Sequence, residues 1–117
     1  MYLNDFKREL AQALGEPVTV TAFRDAADVS FPCAVILDDE STHGGDGKLF
    51  YKMHAVSIEH YTETNDGGEH DALEAYLLAK QITYTKTTTY IKDERFFMTV
   101  YDFDEEIVEK LKEDYHV

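Results

Sequence analysis

Leu49-Phe-Tyr-Lys-Met-His-Ala-Val-Ser-Ile-Glu-His-Tyr-Thr62 is the stretch on which the reading of this chain turns. Val56, Ile58 and His60 fall on one side of it and Ser57 and Glu59 on the other, the period of two that marks a strand. A strand this long is expected to twist strongly or to carry a bulge. His60 shares the apolar side, so it is expected to be a half-buried core histidine held by a hydrogen bond.

On the C-terminal side, Thr64-Asn-Asp-Gly-Gly68 reads as a turn. A helix is predicted over 69–81, with Ala72, Leu73, Tyr76, Leu77 and Lys80 at helical spacing. Strands at 82–91 and 95–101 then flank a turn at Asp93-Glu94. In the second of these, Phe96, Met98 and Val100 alternate with Phe97, Thr99 and Tyr101. Both sides are apolar, so both are expected to be covered, by helices or by another subunit. Finally, Asp104 can cap a third helix through about 114, striped by Ile107, Val108 and Leu111. Residues 102–117 hold seven acids and two lysines, so much of that segment should face solvent or a basic partner.

On the N-terminal side, 31–37 is a nearly continuous apolar run, as in a central strand, with Pro32 at its start where a missing N–H is tolerated. Asp38 to Gly47 is rich in acids and glycines and reads as an exposed, mobile connection. Residues 18–23 suit an edge strand and 24–30 a polar loop. Leu3, Phe6, Leu10 and Leu14 define the first helix, capped by Asn4 or Asp5 and ended by Gly15 and Pro17. The order α-β-β-β-α-β-β-α implies an α+β fold. It would be a mainly antiparallel sheet of four to five strands, two helices packed on one face and a C-terminal helix. Residues 1–103 would form the domain and 104–117 an acidic helical extension.

Composition narrows the function. The 8 Tyr and 7 Phe are too much aromatic surface for a disordered chain. With 11 basic against 24 acidic residues, the net charge of −13 disfavours direct nucleic-acid recognition and anionic membranes. Protein partners and cations fit better. Cys33 is the single cysteine, so no intrachain disulfide can form, and its apolar neighbours predict a buried thiol. Neither a signal peptide nor a membrane span is legible, which places synthesis and folding in a cytoplasm.

The chemistry-bearing patterns are sparse. Gly44-Gly45-Asp46-Gly47 lacks phosphate-loop spacing. Asp38-Asp39-Glu40 alternates in direction along an extended chain, so the three cannot converge simply. None of His43, His54, His60, His70 and His116 stands in zinc-ligand spacing. Glu59 is the one mid-strand carboxylate and has no evident catalytic partner. The expectation is therefore a protein that is not an enzyme, with no cofactor and no metal. Tyr84, Tyr90, Phe97 and Tyr101 on the last hairpin are its aromatic interface candidates, and completing an ordinary core is the other reading of them.

Several pieces then stand in a recognisable order. They are Pro32-Cys-Ala-Val-Ile-Leu-Asp38-Asp39, Asp46-Gly47-Lys48, Val56-Ser-Ile-Glu-His-Tyr-Thr62, Leu73-Glu-Ala-Tyr-Leu77, and the hairpin from Ile82 to Tyr101. Across about residues 3–102 this resembles the small tail-completion proteins of siphophages and prophages of Gram-positive bacteria. These are the tail terminator, tail-to-head joining and minor capsid proteins. Gly47 departs from the asparagine usual there, as do Ser57 and His60 from a charged and an apolar residue. The acidic segment after Asp104 is an extension beyond the family core.

The resemblance implies a homo-oligomeric ring, a hexamer in the similar lambda-type proteins. The ring caps the head-proximal end of the tail tube, ends its polymerisation and presents a docking face to the head connector. Partners would be further copies of the chain, the major tail tube protein and the connector, and the location the virion tail. The 38–48 loop, with Asp38, Asp39, Asp46 and Lys48, becomes a candidate contact with tube or connector. The acidic charge could keep subunits monomeric until a tail end templates the ring. Other readings stay open: another neck component, an acidic inhibitor or DNA mimic, and a metal-dependent hydrolase.

Overall fold

A computed structural model describes residues 3–22, 30–45, 49–103 and 113–115. The first helix, α1 (Leu3–Leu14), buries Phe6 and Leu10 and ends where Gly15 turns left-handed at φ 65°. The Gly15 amide closes the helix on the Ala11 carbonyl at 2.9 Å. Strand β1 (Val18–Val20) follows. It stops short of the expected residue 23 because Thr21 adopts φ 73°, and Thr19 Oγ1 bonds the Ala22 carbonyl across the bend. Strand β1 runs parallel to the next strand, the one parallel pairing in an otherwise antiparallel sheet.

The largest departure from the sequence reading lies at residues 38–45. They are not a loop but the outer half of β2 (Cys33–Gly45), paired residue for residue with β3 (Leu49–Thr62) from Cys33↔Tyr61 out to Gly45↔Leu49. Local composition argued for a connection, but a cross-strand ladder satisfies every backbone group it engages and outweighs weak strand propensity. The arm formed by Asp38–Gly45 and Leu49–Val56 is eight residues long on each strand, about 25 Å at the rise of an extended chain. Asp46, Gly47 and Lys48, between Gly45 and Leu49 in the sequence, lie outside the described residues.

Helix α2 (Asp71–Ala79), β4 (Tyr84–Ile91) and β5 (Phe96–Phe103) complete the domain. The sheet order is β1-β2-β3-β5-β4, and the short β6 (Glu113–Tyr115) pairs with β3 at Phe50 to Lys52. The expected third helix falls largely outside the described residues. Its last positions, Glu113 and Asp114, belong to β6, whose backbone is held by the β3 arm in an extended form.

Both helices pack on one face. Phe6, Leu10, Leu73 and Leu77 meet Ala34, Ile36, Val56, Ile58 and Tyr101 in the core. The alternation along the long strand is as read: Val56, Ile58 and His60 are buried under the helices, and Ser57 and Glu59 face the other way.

Helix α2 ends in a Schellman motif. The Ile82 amide bonds the Leu77 carbonyl at 2.9 Å and the Gln81 amide bonds Leu78 at 3.0 Å. Gln81 holds the left-handed position at φ 58°, where glycine is favoured. A side chain in that conformation costs about 1–2 kcal/mol, against about 0.5–1 kcal/mol for the extra entropy glycine brings to the unfolded chain. Gln81→Gly should therefore stabilise the domain by about 0.5–1 kcal/mol, read as a higher urea midpoint with unchanged slope.

Candidate assembly surface

The face of the sheet turned away from the helices is the most distinctive surface of the molecule. Strand register assigns Val35 and Leu37 of β2 to it, with Ser57, Glu59 and Tyr61 of β3 and Phe96, Met98 and Val100 of β5. Thr85, Thr87, Thr89 and Ile91 of β4 continue it to the edge. No described helix covers this face. Leu37 remains 37% exposed, and Tyr61, Phe96, Met98 and Val100 are half-buried. Aromatic contacts tie one end together: Phe96 lies 5.1 Å from the Phe31 ring and 5.5 Å from that of Tyr61.

Its charge has one sign. Asp39, Glu59 and Asp102 stand on it, and no lysine or arginine does among the described strand residues. Glu59 is set between Val35 and Val100 in the register and accepts the Tyr61 hydroxyl at 2.7 Å. Burial, then that bond to Glu59, pushes the Tyr61 phenol up, so it stays a donor at all physiological pH. An open depression of about 500 Å³ lies where Leu37, Asp39, Ala55, Ser57 and Asp102 meet.

Two further features border this face. Strand β4 forms the free edge of the sheet, with residues Thr85 to Tyr90 all exposed. On the opposite, helix side, α2 also exposes apolar residues, Ala72, Ala75, Leu78 and Ala79, with Leu78 at 78% exposure. A helix confined to one core needs only one apolar stripe, as α1 shows.

The residues singled out from sequence fall in different places. Asp38 and Asp39 point to opposite faces, as extended geometry requires. Asp38 is half-buried and holds His54 Nδ1 at 3.0 Å through both carboxylate oxygens, while Asp39 is exposed. Tyr90 is 48% exposed and stacks against the half-buried Phe97 with ring centres 4.9 Å apart. Tyr101 is not a surface residue. It is fully buried beneath α2, because the Phe97-Thr99-Tyr101 side of β5 is the side the helices cover.

Burying Tyr101 creates a polar requirement that Glu74 of α2 meets. Its carboxylate accepts the Tyr101 hydroxyl at 2.8 Å, the Tyr84 hydroxyl at 3.0 Å and Lys86 Nζ at 2.8 Å. Sequence gave no sign of this cluster, since Glu74 reads as an ordinary solvent position of a helix. Burial raises the Glu74 carboxyl, but the bonds from Lys86, Tyr101 and Tyr84 outweigh it and hold the group below its ordinary value. Among the described residues no group of three or more His, Cys, Asp or Glu could hold a metal ion, and no helix is long and apolar enough to cross a membrane. A comparison with protein-family models finds none that matches the chain, and one with curated proteins finds no relative.

Glu74→Gln should cost about 1–2 kcal/mol at pH 7, as one charge-assisted hub becomes three weaker or broken bonds. A carboxyl with a lowered folded value stabilises above its unfolded value of 4.5 and loses that contribution as pH falls through the folded value. The gap between wild type and Glu74→Gln should therefore narrow below pH 4.5, checked by urea unfolding across a pH series.

Proposed function

We propose that this chain is a structural assembly protein of a phage or prophage tail. Copies close into a ring at the head-proximal end of the tail tube, stop its growth and offer a face to the head connector. The observation that supports assembly most is the sheet face that no described helix covers, where Leu37 is exposed and Tyr61, Phe96, Met98 and Val100 are half-buried around a fixed carboxylate. Monomers seldom leave a contiguous apolar face of that kind without a partner. The tail-completion role rests on the ordered resemblance across about residues 3–102.

Two features of the sheet would serve such a ring. A sheet edge at β4 can pair with a neighbouring chain, and the arm of β2 and β3 reaches far enough to contact a second subunit or the tube. Asp39 lies at the base of that arm on the open face, next to Leu37. With Asp46 and Lys48 it belongs to the 38–48 segment, the candidate contact with tube or connector. The partner facing Asp39, Glu59 and Asp102 would be basic or rich in hydrogen-bond donors.

The deciding experiment is negative-stain electron microscopy of lysates from the parent phage lacking this gene. Overlong tails beside tailless, filled heads are expected. Free tails of normal length beside filled heads would move the role to joining or head closure, and intact virions would overturn the assembly reading. Complementation with Leu37→Asp and Met98→Glu on the open face should fail to restore joined virions. The purified variant should keep its circular dichroism and stay within about 1 kcal/mol of wild-type stability.

A further inference from the structure

We propose that Glu16, His60 and His70 form a one-proton latch that holds the start of α2 against the sheet near neutral pH and releases it in acid. His60 is fully buried on β3, and His70, 3% exposed, is the residue that begins α2. Their Nδ1 atoms are 2.8 Å apart, and their rings meet edge to face with centres 5.0 Å apart. His60 Nε2 lies 2.8 Å from Glu16 Oε1, in the connection between α1 and β1. His70 Nε2 lies 3.3 Å from both Asn65 Oδ1 and Thr99 Oγ1. The chain of contacts therefore joins the α1–β1 connection, β3, β5 and the turn that precedes α2.

The proton count of this chain is limited. With the pair neutral, His60 donates Nε2–H to Glu16 and His70 donates Nδ1–H to His60 Nδ1. The lone pair of His70 Nε2 then accepts from the Thr99 hydroxyl. With one added proton, His60 donates both of its N–H groups, to Glu16 and to His70 Nδ1. His70 then donates Nε2–H to Asn65 Oδ1. Every ring nitrogen is satisfied in both states. A second added proton makes both rings positive and opposes their two Nδ1–H groups across 2.8 Å, which the buried site cannot hold.

The surrounding charges do not relieve this. Glu16 faces His60, while Glu69 and Glu74 from the start of α2 and Lys86 from β4 act on His70, and Tyr101 packs 6.1 Å from its ring. Burial, then His60 and Lys86, lower the His70 imidazole, and the two glutamates only partly oppose them. A histidine lowered in the closed state stabilises that state above its ordinary value of 6.5. As pH falls below that value the open state takes up the second proton that the closed state refuses, so closure weakens. Glu69, shared with the Asp66 side chain and with the Asp66 and Gly67 amides, and Glu74 are both held below their ordinary value. They stay ionised across the window in which the latch responds.

The test uses the full chain, labelled with ¹⁵N-histidine, between pH 8 and pH 5. Amide exchange of residues 66–74, corrected for intrinsic rates, should show an open population rising up to about tenfold per pH unit below 6.5. In His70→Asn that slope should fall below about twofold per unit. Nitrogen shifts at pH 8 should place the proton of His60 on Nε2 and that of His70 on Nδ1. A wild type whose protection is unchanged down to pH 5 would overturn the latch, as would His70→Asn opening as steeply as wild type. Should His70→Asn not fold, the nitrogen shifts of the wild type decide. At pH 8, a His70 proton on Nε2 with the single proton of His60 also on Nε2 would set two lone pairs against each other at the Nδ1 contact and overturn the proposal.

Discussion

Both helices lie on the same face of the sheet, and the contact of Leu73, Leu77, Phe6 and Leu10 with Ile36, Ile58 and Tyr101 is the constraint from which the other features follow. Strand β3 is central to it, paired with β2 along its length and with β5 over its second half. Once that face is sealed, every polar atom on it needs an internal partner. Tyr101 sends its hydroxyl to Glu74, and His60, in the same row as Ile58, reaches Glu16 and His70. One grouping holds His70 at the start of α2 and the other Glu74 within it, so its orientation on the sheet is fixed by hydrogen bonds as well as by packing.

Much of this architecture was legible in the sequence, and the parts that were not share one physical reason. Helix α1 was readable because its apolar spacing, Gly15 and Pro17 act within a few residues of one another. The alternation of β3 was readable for the same reason, and it correctly set Val56, Ile58 and His60 together. Residues 38–45 were misread because Asp, Ser and Gly are poor strand formers locally, whereas their strand state depends on the facing residues 49–56 of β3. Alternation in β5 gave two apolar sides but not which one the helices cover, so Tyr101 stood among the surface candidates until the packing placed it.

The polar site was the least legible part. His60 and Glu16 are 44 residues apart, and His60 and His70 meet only because the turn after β3 folds back to begin α2. Sequence could say that a histidine on an apolar strand face needs a hydrogen bond. It could not name the partner, and it gave His70 no role at all. The same holds for Glu74, whose position on a short helix reads as solvent-facing until Tyr84, Lys86 and Tyr101 arrive from two other strands.

The face that no described helix covers bears on the kind of assembly this chain can form. In an isologous pair each residue meets its own counterpart region, so Asp39, Glu59 and Asp102 would face the same three carboxylates across a partly desolvated contact. Glu59 is the most severe of these, since Val35 and Val100 flank it and the Tyr61 hydroxyl already fixes its direction. A twofold dimer through this face would leave those charges opposed. A heterologous contact, in which the face meets a different surface, allows lysine, arginine or backbone donors to answer them. Heterologous contacts close into rings or run on as filaments according to the rotation each step imposes. The sign of the charge on this face thus favours a heterologous contact over a twofold dimer, independently of any resemblance.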